Sequence, residues 1–419
     1  MYLDFAFISM GDSPETTVHR RSFIKYGGAA SVVALAGCTA ETDDDNGEDD
    51  TVVIGSAHPL SGNFADTGTR MNNAIELAAM RKNDEGGIES LDGAEVEVIE
   101  GDTEGEQELG SEVANNLIDD GAHVLTGCFN SPVTNAAATA AEGSQVPFVI
   151  SVAVDDAILG ESPRDYVYRP QPNATQMARD HVDTMPQVVR DLDMEVETAG
   201  LFYIDDDFGQ SVSSALEDFL PEEGIEVVTS QAIDFGDTAD TQVTNFRDND
   251  PDIVISTTYS ASTQELISAM DNQDYRPPLL GGVANEAYND ASTLEAMGDT
   301  AEDTLMTNFA LNPVDDRADE IREAFEDEFD QSFDANVAMS YVAGEVIIAA
   351  IEEAGSTDHD EINDTLSEIT VEEHIAAMPE ITFDESGENE NALGPLFQVQ
   401  DLQDVVVFPE EFAAADPRL

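Results

Sequence analysis

Hydrophobic and polar positions alternate along this chain in a steady rhythm that begins at Thr51. Val52-Val53-Ile54 predicts a short buried strand, closed by Gly55 and by Pro59-Leu60-Ser61-Gly62. Met71, Ile75, Ala78 and Ala79 then recur at helical spacing until Gly86-Gly87 ends the run. Strand Val96-Val98-Ile99 comes next, then a helix carrying Val113, Leu117 and Ile118 that stops at Gly121. Strand Val124-Leu125, an alanine-rich helix after Pro132 and strand Phe148-Val149-Ile150 complete the first series. A second series restarts the pattern. A helix over 175–190 leads into Leu201-Phe202-Tyr203-Ile204, a helix over 211–220 into a strand over 225–228, and a helix near Thr241 into Ile253-Val254-Ile255. A helix over 263–270 precedes Pro277-Pro278-Leu279-Leu280.

Short aliphatic runs between helices are the mark of parallel strands covered on both faces. The pattern predicts an α/β protein of two lobes, each a mostly parallel sheet flanked by helices. In open sheets of this kind, ligands bind in the crevice outside the strand carboxyl ends. The loops after the strands therefore hold the candidate chemistry.

Composition narrows the setting. The chain has 419 residues, ample for two domains, and its 41% hydrophobic content excludes disorder throughout. Asp plus Glu number 90 against 15 Lys plus Arg, a formal charge of −75 with a pI near 4.1. Such a surface repels a phosphate backbone and excludes DNA and RNA as partners. Lysine occurs only at 25 and 82, and every other basic residue is arginine. Spread over the whole chain, this charge would push the compact state apart in dilute buffer. At molar salt the Debye length is about 3 Å and the repulsion is screened. The balance points to a protein built for very high salt, from a halophilic archaeon.

The amino terminus has the form of an address label. His19-Arg20-Arg21-Ser22-Phe23-Ile24-Lys25 reads as a twin-arginine export signal, with Arg20 and Arg21 as the pair. The apolar stretch over 26–37 is too short for a membrane helix of about 20 residues. It ends in Leu35-Ala36-Gly37-Cys38, which resembles a lipobox, so residues 1–38 are expected to be a signal cut before a lipid-bearing Cys38. Residues 39–50, rich in Asp and Glu, read as a solvated tether. Cys38 and Cys128 are the two cysteines, which excludes a disulfide framework.

Motifs of catalysis are missing. The chain has no phosphate-binding Gly-x-x-x-x-Gly-Lys loop, Gly-x-Ser-x-Gly elbow, His-Glu-x-x-His or Cys-x-x-Cys. No histidines pair at metal-ligand spacing, and no cofactor or metal is expected. His58 reads as a plain histidine on the first strand-to-helix loop.

The strand-end loops resemble those of the type I periplasmic binding proteins, the branched-chain amino acid and amide class that serves ABC importers. The matching stretches are Val53-Ile54-Gly55 through Gly62, Asn83-Asp84-Glu85-Gly86-Gly87-Ile88, and Gly127-Cys128-Phe129-Asn130-Ser131. Phe148-Val149-Ile150-Ser151, Asp207-Phe208-Gly209-Gln210, Ala343-Gly344-Glu345-Val346 and Ala354-Gly355-Ser356 continue the series. They occur in family order over most of the chain. The resemblance implies three crossings between lobes, near 169–173, 307–310 and 379–382. Residues 51–170 plus 309–379 would then form one lobe, and 171–308 plus 380–419 the other.

The resemblance also implies site residues. Ser131 falls where the family binds a ligand carboxylate at a helix start; its simpler role is helix N-cap. Ala153 stands where main-chain groups are used. Asp155 either pairs with an ammonium or caps its loop. Tyr259 matches the tyrosine that lines the crevice from the second lobe, or is a surface tyrosine. The glutamate that pairs with an amino acid's ammonium is represented by Asn285 or Glu286, with the spacing shifted. Cys128 is read as small and structural.

The function expected is a lipid-anchored receptor on the outer face of the membrane. It would capture a small polar solute, a branched-chain or other amino acid, as a monomer, and deliver it to an ABC permease. A urea or short-chain amide receptor and a ligand sensor are the alternatives among binding proteins. An exported acidic hydrolase is the alternative among enzymes, and the missing motifs argue against it. The charge reading is open to direct test. Diluting salt to about 0.1 M lengthens the Debye length to about 10 Å and restores repulsion among carboxylates. Helical circular dichroism is expected to fall on that dilution, and a melting temperature independent of salt would refute the reading.

Overall fold

A computed structural model of the protein describes residues 51–160 and 164–418. Arg20, Arg21 and Cys38 of the expected leader, and the tether, lie outside the described residues.

The first sheet is built from β1 (Thr51–His58), α1 (Ala65–Asp84), β2 (Glu95–Asp102), α2 (Gln107–Asp119), β3 (Val124–Gly127), α3 (Ser131–Ser144), β4 (Phe148–Ile150), α4 (Ala157–Gly160) and β5 (Val167–Tyr168). Its strands run in the order β2-β1-β3-β4-β5, all parallel. Sequence and position agree strand by strand. The inner strands β3 and β4 are buried on both faces and read as unbroken aliphatic runs. At the edge, β2 alternates buried and exposed positions at Glu95, Val96 and Glu97, because a face of it meets water.

The chain then crosses to α5 (Ala174–Asp191), β6 (Thr198–Ile204), α6 (Asp207–Phe219), β7 (Glu226–Ile233), α7 (Asp240–Asn249), β8 (Ile253–Thr257), α8 (Ser260–Asn272), β9 (Leu279–Val283), α9 (Ala291–Met297) and β10 (Leu305–Thr307). After a return crossing, α10 (Asp316–Phe329), α11 (Ala335–Ala354) and α12 (His359–Glu368) pack beside the first sheet, with α11 against α1. The short pair β11 (Thr370–Val371) and β12 (Ile381–Thr382) follows, then a last crossing to β13 (Leu396–Gln400) and β14 (Gln403–Phe408). The second sheet has the order β14-β13-β10-β9-β8-β6-β7, parallel except for β13, which runs antiparallel to both β10 and β14.

The α/β class and the parallel sheets expected from the sequence are present. The hairpin of β13 and β14 has no counterpart in the sequence reading. Its turn is Asp401-Leu402, both at positive φ, 57° and 59°, without the Gly or Asn that advertises such a turn. Helix α11 is 20 residues long and apolar enough to cross a membrane, yet 78% of its apolar window is buried in the lobe. A helix that is apolar all round belongs in a core. Gly344 lets it approach α1 closely, since a Cβ there would lie 2.9 Å from Ala78 Cβ.

The three crossings run side by side and bond to one another. Asn389 Nδ2 donates to Pro170 O (2.7 Å), joining the first to the third. The N–H of Asn312 donates to Ile375 O (2.7 Å) and that of Ala377 to Ala310 O (2.9 Å), joining the second to the segment that leads into the third.

The Asp-Phe-Gly-Gln stretch has a packing reason. Gly209 sits in the first turn of α6, where its N–H donates to the N-cap Asp206 Oδ1 (2.9 Å). A Cβ on Gly209 would lie 2.0 Å from Ile204 O at the end of β6. Gly209→Ala is therefore expected to destabilise the fold by about 2 kcal/mol through overpacking. A denaturant melt in molar salt measures it, and an unchanged midpoint would show that the strand end yields freely.

Candidate functional site

The carboxyl ends of β3 and β4 in the first sheet and of β6, β8, β9 and β10 in the second bring the residues that follow them to one cavity. Its walls include Phe129, Ser131 and Ala153 from the first lobe and Phe208, Tyr259 and Glu286 from the second. The void is about 40 Å³. That holds a few waters and no more, and side chains of the two lobes touch beside it.

Ser131 is the first residue of α3. The N-cap position belongs to Asn130 (φ −81°, ψ 142°), so the helix-cap role considered for Ser131 is corrected. Asn130 makes no side-chain cap either, and its amide donates to Gly105 O (2.9 Å). The start of α3, with its unpaired N–H groups and positive dipole end, thus forms part of the cavity wall without a capping side chain. Ser131 Oγ accepts the N–H of Asp155 at 3.4 Å, which leaves the hydroxyl proton free to be donated.

Ala153 lines the cavity, and its carbonyl accepts from Gln171 Nε2 (3.3 Å). Asp155 does not line it. Its carboxylate accepts the N–H of Ala157 at 3.1 Å and faces an outer groove beside Asp207 and Ser211. Burial raises its pKa, and Asp207 adds to the rise. Of the two roles considered for Asp155, the geometry matches the loop cap. The sequence places it near the site but cannot tell which way a side chain turns.

Tyr259 is buried at the end of β8, and its hydroxyl donates to Asp206 Oδ2 (2.9 Å). Burial and that carboxylate hold the phenol well above its ordinary pKa, so it stays protonated. Its ring is the centre of an aromatic seam. Phe129 and Phe64 of the first lobe lie 5.6 and 4.9 Å from it, and Phe208 of the second lies 5.5 Å away. Phe235, 41% exposed at the rim, packs on Phe64 at 5.2 Å. The sequence reading singled out none of these phenylalanines, although Phe129 and Phe208 stand inside stretches it quoted. A ring in a loop carries no periodic signal.

Asn285 and Glu286 separate cleanly. Asn285 is fully buried away from the cavity, donating to Ser256 Oγ (2.9 Å) and accepting from the N–H of Ala287 (3.0 Å). It holds the loop after β9 in shape. Glu286 is the residue in the wall. One oxygen accepts from Thr67 Oγ1 of α1 across the cleft (2.8 Å), the other from Ser260 Oγ (3.0 Å). Burial raises its pKa, the hydroxyls pull it down, and the rise wins. Among the described residues no Lys, Arg or His lines this cavity. A buried carboxylate without a cation is costly to keep charged.

Two other residues bear on the chemistry. His58 is not on a loop as expected but closes β1, fully buried, with Nδ1 2.9 Å from Ser56 Oγ and Nε2 3.2 Å from Ser151 Oγ. Burial pulls it down to about 3, so it is neutral and serves to brace the loop after β4. Cys128 is also fully buried, and burial pushes its thiol up to about 12, which rules out a nucleophile. Among the described residues no group of three or more His, Cys, Asp and Glu is placed to hold a metal ion.

Comparison with known proteins agrees with this geometry. Residues 51–402 match the family described as periplasmic binding protein. Leu/Ile/Val-binding protein homolog 7 of Brucella abortus is 27% identical over 406 residues, covering 93% of this chain and 98% of that protein. Among solved structures, the branched-chain amino acid transporter substrate binding protein of Streptococcus pneumoniae, in complex with isoleucine, gives a TM-score of 0.73 at 18% identity. That match covers 84% of this chain and 97% of the other. A solute binding protein of an ABC transporter from Rhodopseudomonas palustris, in complex with 3,4-dihydroxybenzoic acid, also gives 0.73, at 19% identity over 88% and 99%. Two sheets joined by three crossings, a cavity walled by the strand ends of both, and a family match over most of the length lead to one assignment: the chain belongs to the type I periplasmic binding proteins, the solute-binding components of ABC transporters.

Proposed function

We propose that this protein captures a small zwitterion, an amino acid with an apolar side chain, and presents it to an ABC permease. The observation that carries the reading is Glu286, a carboxylate buried in an aromatic cavity whose lining holds no cationic side chain. A ligand ammonium supplies the missing charge. The ligand carboxylate is met by neutral donors, the Ser131 hydroxyl and the start of α3. The rings of Phe129, Phe208 and Tyr259 take the apolar side chain. A benzoate, the class bound by some structural neighbours, would bring a second anion to Glu286 and nothing to neutralise it. Urea or a short amide could satisfy the hydrogen bonds but leaves the charge unanswered.

Closure follows from the layout. Each lobe offers half a site, and a ligand touching both stabilises the closed state over the open one. The wider setting is proposed with it: export by the twin-arginine pair Arg20 and Arg21, cleavage before a lipid-bearing Cys38, a tether over 39–50, and work as a monomer at the outer membrane face in high salt. Delivery rather than sensing is favoured by the family's role in ABC transport.

A titration of leucine, isoleucine, valine, benzoate and urea in molar KCl tests the ligand class. The amino acids are expected to bind, and binding of benzoate but no amino acid would overturn the reading. Glu286→Gln is expected to weaken an amino acid by about two decades, from the loss of a charged hydrogen bond of about 1.5–3 kcal/mol. Ser131→Ala loses a donor to the carboxylate and is expected to weaken it by about one decade. Because Glu286 must be ionised and its pKa is raised, affinity should fall as pH drops, starting above the ordinary carboxylate range. In Glu286→Gln that fall should vanish; if it persists unchanged, Glu286 is not the ammonium partner.

A further inference from the structure

The loop after β4 gives the cavity its first-lobe main-chain wall, at Val152, Ala153 and Val154. Loop carbonyls removed from water need donors from elsewhere in the fold. Here they come from the first crossing. Ala153 O accepts from Gln171 Nε2 (3.3 Å), and Val154 O from Arg169 Nη1 (2.9 Å) and the N–H of Ala174 (2.7 Å). Asp155 O accepts from Arg169 Nη2 (2.8 Å). Arg169 is fully buried. Its Nε lies 3.6 Å from Glu388 Oε2 in the third crossing. The main chain around it is stitched to that same crossing, with the Arg169 N–H donating to Gly387 O (2.8 Å) and the Asn389 N–H to Arg169 O (3.1 Å).

One guanidinium therefore holds the loop with its two terminal nitrogens, at Val154 O in the cavity wall and Asp155 O just behind it, while its third lies at ion-pair distance from Glu388 in the hinge. Its donors lie in a fixed plane, so it holds two successive carbonyls at a set separation, which an ammonium cannot do. The effect reaches the anion-binding side chain as well, because the N–H of Asp155 donates to Ser131 Oγ.

We infer that Arg169, with Gln171 beside it, positions the binding site: together they transmit the setting of the inter-lobe crossings to the main chain of residues 153–155 and, through Asp155, to Ser131. This rests on the reading of the cavity as the ligand site. Lobe movement turns the crossings, and a turn at 169–171 carries the loop carbonyls with it. The site is thereby shaped by closure, and occupancy of the site biases closure in return.

Arg169→Lys keeps the charge but cannot span both carbonyls. In the ligand-free protein, hydrogen exchange at residues 153–157 is expected to speed up about tenfold while β3 keeps its protection. That readout needs no ligand and stands even if no amino acid binds. In a leucine titration well below the melting transition, Arg169→Lys is expected to weaken affinity by about tenfold or more. Glu388→Gln, which leaves both carbonyl contacts in place, should weaken it far less. A purely structural arginine predicts a lower melting temperature with loop protection and leucine affinity unchanged, and that result overturns the proposal. If Arg169→Lys does not fold, Gln171→Met, which removes the contact to Ala153 O, replaces it. Unchanged exchange at the loop in that variant overturns the proposal equally.

Discussion

Main chain that leaves one sheet for another must satisfy its polar groups on the way, and the rest of this fold depends on how three crossings do so. They satisfy one another. Asn389 serves Pro170 and Arg169, the segment at 375–377 pairs with 310–312, and His181 Nδ1 reaches Thr307 Oγ1 (3.0 Å) where the second crossing begins. The two sheets are thus joined by something ordered enough to define an axis and narrow enough to turn about it.

The cavity stands at the mouth of that joint, and its electrostatics follow from the chain's charge. A protein with so few cations spends them sparingly. Arg70 lies buried against Asp334 and Asp66, and Arg169 is committed to the hinge. Among the described residues none lines the cavity, which leaves a hydroxyl and a helix start as its donors and Glu286 without a cation beside it there. Ordinary receptors need not share this economy. Here the lining is acidic and aromatic because the whole chain is acidic and its phenylalanines collect where strand ends meet.

Much of this was legible in the sequence, for identifiable reasons. Parallel strands covered on both faces announce themselves as aliphatic runs, so the strands through β9, except the two-residue β5, could be read from Val52 to Leu280. Strand-end loops follow from the strands, and the family resemblance then names Ser131, Ala153, Tyr259 and Glu286 within them. Direction could not be read. Asp155 and Asn285 lie one or two residues from the cavity in sequence yet turn away from it, because a loop has no period to fix which side faces in. His58 was misplaced because the strand, read as closed by Gly55, runs on through Ser56 and Ala57 to His58 itself. The hairpin of β13 and β14 escaped notice because Asp401-Leu402 lacks the residues that mark a tight turn.

The aromatic seam between the lobes has a thermal consequence. Any motion that parts the lobes must wet the faces of Phe64, Phe129 and Tyr259 that now touch. Wetting apolar surface raises heat capacity, so opening resembles a small unfolding step in its temperature dependence. Cooling weakens the seam, and salts excluded from protein surfaces strengthen it. In concentrated brine the medium that quiets the carboxylates would also hold the rings together, and release of a solute there would have to work against both.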